Sequence, residues 1–186
     1  MACTDDGNGP VLAFGDAQGG GLFAPAAPKD QIALMGGDVV LVAPDGFCVD
    51  TRSKRRNFAL MARCDVLGGD SQSSNAAPLA ILTASVVPVA DDTTLTETVA
   101  AERKDRVLDI SDDDGLFLTR LKSDPPSDAF RNDFWRGSAN VGVYVLRLGA
   151  YSAKGAPVLG PYGRVLLEES LTFTRAASQT SAAATN

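Results

Sequence analysis

Two cysteines, three carboxylates and five cations fall within one stretch of the chain, Val39 to Gly69. Cys48 and Cys64 stand sixteen residues apart, with Asp50, Arg52, Lys54, Arg55 and Arg56 between them and Asp65 just beyond. A thiol beside positive charge can act as a nucleophile, because cations favour the thiolate. Such a Cys48, with Lys54 or an arginine nearby, also needs a base and a group that orients the base. Histidine, the commonest base, is absent from all 186 residues. That absence removes a Ser-His-Asp triad, a Cys-His pair and a His-rich metal site. Carboxylate-dependent catalysis remains, with Asp50 and Asp65 as the nearest candidates, but only their place beside the two cysteines supports such a pair. The expectation is a protein that is not an enzyme.

The spacing of Cys48 and Cys64 is far from the two-residue gap of redox and zinc motifs. With three cysteines in the chain, a four-ligand zinc site would need carboxylates. Two readings stay open. In an oxidising compartment the two pair and tie neighbouring strands together; in the cytoplasm they are small buried hydrophobes. Pairing is the expectation adopted, and it would stabilise the fold by about 3 kcal/mol in the chain-entropy model.

The acidic run Asp112-Asp113-Asp114-Gly115 invites a calcium loop. An EF-type loop begun at Asp109 would put Asp114 where glycine is required and Arg120 where the bidentate glutamate belongs. Asp114-Gly115 reads better as a tight hairpin turn. No metal and no cofactor is expected.

Arg52, Lys54, Arg55 and Arg56 are the strongest charge anomaly in a chain of net charge −6 and pI near 4.6. A short charge run is commonly a solvated face. Its functional reading is a site for an anionic partner: an acidic protein, a lipid head group or a glycan. The acidic balance argues against nucleic acid, which needs clustered positive charge. No apolar run reaches the ~18–20 residues that span a bilayer.

The elements that must position these residues follow from periodicity. Val39 to Ala43 reads as a strand buried on both faces, stopped by the Pro44-Asp45-Gly46 turn. Asp50 to Asn57 is long enough for a helical turn or two, with Asp50 or Thr51 as N-cap. From Phe58 the residues alternate, which predicts a strand with Phe58, Leu60 and Cys64 inward. Pro78 to Val87 is the most apolar strand candidate. Thr94 and Glu97 fit a capping box that opens a helix through about Lys104. Val107 to Ile110 and Leu116 to Leu121 predict a hairpin, and Val141 to Tyr151 one long strand. Phe130, Phe134 and Trp135 are expected to pack, with the Phe134–Trp135 edge as a possible contact for a protein partner. Gly160-Pro161 starts the last helix, with proline at N1, and Tyr162, Val165, Leu166 and Phe173 share a face, widened by Leu167 and Leu171.

Clustered strands with interspersed helices predict an α+β fold: a mostly antiparallel sheet with two or three flanking helices, a two-layer or three-layer sandwich. The expected division is a flexible Gly-rich segment over 1–37, one α+β domain over 38–175 and a disordered tail over 176–186. Ala2-Cys3, followed by the polar, Gly-rich Thr4 to Gly9, resembles the end of a bacterial lipobox. In lipoproteins that cysteine carries the lipid, which implies lipidation at Cys3 and a periplasmic or membrane-anchored place if a signal lay upstream, and a cytoplasmic one otherwise. The element order is similar to the PsbP-like fold. Together these features lead to the expectation of a non-enzymatic envelope protein acting as a binding or assembly module, the alternative being a cytoplasmic accessory protein that uses the Arg52–Arg56 cluster.

Overall fold

The computed structural model describes residues 29–69, 77–89 and 106–184. Nine strands and one long helix are built from them: β1 (Gln31–Leu34), β2 (Val39–Val42), β3 (Phe47–Asp50), β4 (Phe58–Arg63), β5 (Ala80–Pro88), β6 (Arg106–Asp113), β7 (Leu116–Lys122), β8 (Asp133–Val141), β9 (Tyr144–Ser152) and α1 (Pro161–Ala184). Seven strands form one sheet in the order β3-β4-β5-β9-β8-β7-β6, every neighbouring pair antiparallel. β1 and β2 pair separately as a two-stranded unit. The class is α+β, as expected.

Helix α1 and the β1–β2 pair cover one face of the large sheet. Opposed pairs such as Met61 and Leu82, or Leu82 and Ala150, carry that face across β4, β5 and β9. They join Leu41, Leu118, Leu146, Leu167 and Leu171 in one buried cluster. Close approach of the helix depends on small residues. A Cβ on Gly137 would come within 2.8 Å of Leu118 and 3.1 Å of Leu171. Gly163 lies so close to the Trp135 ring that a Cβ has no room, and the indole Nε1 donates to the Gly160 carbonyl at 2.7 Å. The aromatic edge expected at Phe134–Trp135 is thus buried. Phe134 points to the opposite sheet face, where it packs with Leu121, Tyr151 and Phe130.

Several local expectations change. The segment after Asp50 is a turn, not a helix: the Asp50 carboxylate accepts from the Arg52 N–H at 3.1 Å, an Asx turn that competes with helical pairing. In β4 it is Ala59 and Met61 that face the core, one residue out of phase with the expected face. A single-residue shift exchanges every side chain between faces, and Phe58 and Leu60 lie on the half-buried side. Residues 141–151 form no continuous strand, because the chain reverses at Gly142 (φ 58°) and Val143 between β8 and β9. Leu166, Leu167 and Leu171 of α1 are buried, while Tyr162, Val165 and Phe173 are exposed.

The span given to a disordered tail is helix as far as Ala184, and β1 with the following 3-10 turn at Met35–Gly37 packs with the domain. The hairpin turn at Asp114-Gly115 is present, with φ of 52° and 68°, the left-handed values such two-residue turns demand. Cys3 and the capping box at Thr94 and Glu97 lie outside the described residues.

Candidate binding site at the basic turn

The basic segment joins β3 to β4 at the end of the sheet where the β8–β9 and β6–β7 turns also lie. Its backbone is tied at several points. Ser53 Oγ donates to the Asp50 carbonyl at 2.6 Å and accepts from the Leu60 N–H at 2.8 Å. The Arg55 N–H reaches the Phe58 carbonyl at 2.8 Å. Met35 N–H donates to the Arg56 carbonyl at 2.7 Å, and Val86 N–H to the Asn57 carbonyl at 2.9 Å. A loop so anchored holds its side chains at low entropic cost to a partner.

The four cations differ in what they do. Arg52 Nε pairs with Asp50 at 3.0 Å on an open surface, which adds little stability. Arg55 curls over its own turn, donating to the Lys54 carbonyl at 2.9 Å and, more weakly, to that of Arg52 at 3.3 Å. Lys54 and Arg56 are exposed, and among the described residues neither side chain has a hydrogen-bond or ion-pair partner. Across from Arg56, the Tyr144 hydroxyl donates to Asp38 Oδ2 at 2.8 Å. That bond holds the phenol above its ordinary pKa, with a small opposing pull from Arg56.

Cys48 and Cys64 form a disulfide, with Cα atoms 4.8 Å apart. Cys48 sits opposite Ala62 on the edge strand β3, and Cys64 follows the last residue of β4. The bond therefore closes the end of the hairpin away from the basic turn. Asp65 lies at that end too, bound by Arg63 through two hydrogen bonds of 3.0 and 2.6 Å. This contact lowers the Asp65 carboxyl below its usual range.

Asp50 and Asp65 thus stand at opposite ends of the hairpin, each engaged by its own arginine, and they line no common cleft. Among the described residues no three cysteine or carboxylate side chains gather as metal ligands. No helix there is long and apolar enough to cross a membrane.

No family model matches the sequence. No curated protein matches it either. Among solved structures, the chain is similar to the solution structure of cyanobacterial PsbP (CyanoP) from Synechocystis sp. PCC 6803, at 9% identity and a TM-score of 0.40. The match covers 84% of this chain and 96% of that one. A likeness this distant carries no functional argument.

Proposed function

We propose that the chain is a non-enzymatic binding or assembly module of the bacterial envelope, attached through a lipid on Cys3, whose basic turn meets an anionic membrane surface. The observation that carries this reading is the pair Lys54 and Arg56, exposed and, among the described residues, unpaired, on a loop whose backbone is fixed. Asp50 neutralises Arg52, so Lys54, Arg55 and Arg56 set the local field against a net charge of −6. The Cys48–Cys64 bond supports an oxidising compartment, and the lack of histidine in the chain supports a non-catalytic role.

Each cation near an anionic leaflet contributes about 1 kcal/mol. Lys54→Gln with Arg56→Gln should therefore lower partitioning onto phosphatidylglycerol vesicles on the order of 30-fold at low salt, with no change in unfolding midpoint. Equal sedimentation with anionic and zwitterionic vesicles, or full retention by the double variant, would refute the proposal.

A further inference from the structure

At the opposite end of the sheet, a cavity of about 380 Å³ is lined by Pro125, Asp128, Phe130, Arg131, Asn132 and Lys154. We propose that this cavity binds a carboxylate attached to a flat apolar group, with Arg131 as its principal contact. The proposal is independent of the basic turn.

The walls are set by main-chain bonds. Lys154 N–H donates to the Ala129 carbonyl at 2.7 Å, and Arg131 N–H to the Ser152 carbonyl at 3.0 Å. Phe130 bridges to Ala153 and its ring rests against Tyr151 with centroids 5.6 Å apart. Pre-set walls spare the ligand much of the ordering cost of binding.

The guanidinium of Arg131 is fixed but incompletely engaged. Nη1 donates to the Ala156 carbonyl at 3.0 Å. Nε is shut off from solvent and has no hydrogen-bond partner among the described residues. No described carboxylate forms an ion pair with Arg131, and Lys154 is likewise unpaired. A partly buried cation with no carboxylate beside it is costly, and an anion in the adjoining space offsets its charge. With Nε enclosed and one Nη1 hydrogen spent on Ala156, the second Nη1 hydrogen and Nη2 form the edge of the planar fork left to the two oxygens of a carboxylate. Lys154 adds a second positive charge and Phe130 an apolar wall, whereas Asp128 opposes an anion.

The test is a titration of the full chain with N-acetylphenylalanine, followed through the Arg131 Nε–Hε resonance, with the neutral amide of the same compound as control. The acid should give a saturable downfield shift and the amide none. Lys154→Gln should weaken binding roughly tenfold, and Asp128→Asn should tighten it. Arg131→Lys, read at the Asn132 and Lys154 amides, keeps the charge without the fork and should lose at least about tenfold. If that variant does not fold, the acid–amide pair with the Lys154 and Asp128 variants carries the test alone. No saturable shift, an equal response to the amide, or tighter binding of inorganic phosphate would each overturn the assignment.

Discussion

Two edge strands in this molecule are held by different means. Strand β3, at the end of the seven-stranded sheet, is clamped by the Cys48–Cys64 disulfide. Strand β2 has β1 on one side, and on the other it is held by hydroxyls of α1. Ser178 Oγ and Thr174 Oγ1 accept from the Val40 and Val42 N–H groups, both at 2.9 Å, and Ser170 Oγ donates to the Val42 carbonyl at 2.6 Å. The match is geometric. Four residues of helix rise ~6 Å and two residues of strand ~6.6 Å, so Thr174 and Ser178 meet the alternate residues Val42 and Val40, while Ser170 takes the carbonyl of Val42. The disulfide ties β3 to its neighbour β4, and the hydroxyls cover the free side of β2, which would otherwise invite another chain. The first acts chiefly through the unfolded state and the second only through the folded one, and that difference can be tested.

The largest effect should come from the covalent clamp. Cys48→Ser with Cys64→Ser should cost about 3 kcal/mol in urea unfolding, and reductant should shift the wild type toward the double variant while leaving the variant unchanged. Next comes Thr174→Val, nearly the same shape without the acceptor. It leaves the Val42 N–H unpaired and should cost about 2 kcal/mol, with faster amide exchange at Val42. If Thr174→Val were neutral, the hydroxyl row would be incidental and the comparison would fail.

The smallest effects are those of charge. Burial raises the Glu169 carboxyl, outweighing the bond it accepts from the Asp45 backbone. A raised carboxylate pKa gives stability that is complete below the unfolded value and is lost as pH rises through the folded one. Glu169→Gln should therefore gain slightly on wild type at pH ~7 and lose that advantage below about pH 4. Asp65 has the opposite sign: its pKa is lowered by Arg63, so its contribution is present at neutral pH and fades as pH falls through the lowered value. The advantage of wild type over Asp65→Asn should shrink in acid.

What the sequence disclosed follows the same division. Cysteines are few and their spacing excludes most alternatives, so the pairing of Cys48 and Cys64 could be argued before any fold. The hairpin at Asp114-Gly115 and the proline start of α1 were equally open, because each rests on local backbone chemistry. The hydroxyl row was not. Ser170, Thr174 and Ser178 carry no apolar periodicity, and the stretch from 176, rich in Ala, Ser and Thr, in which Ser178 lies, reads as a tail until β2 lies against it. The phase of β4 failed for a related reason, since both of its faces are apolar and only the layer formed by the β1–β2 pair and α1 decides which is core. Arg131 gave no local signal, since its setting is assembled from β9 and the loops beside it.

The central claim, a stapled hairpin presenting its basic turn outside the cytoplasm, is tested most directly by counting thiols in denatured protein from its native host. The account predicts that Cys48 and Cys64 are unreactive until a reductant is added, with Cys3 blocked by its lipid. Free Cys48 and Cys64 thiols in unreduced protein would contradict it.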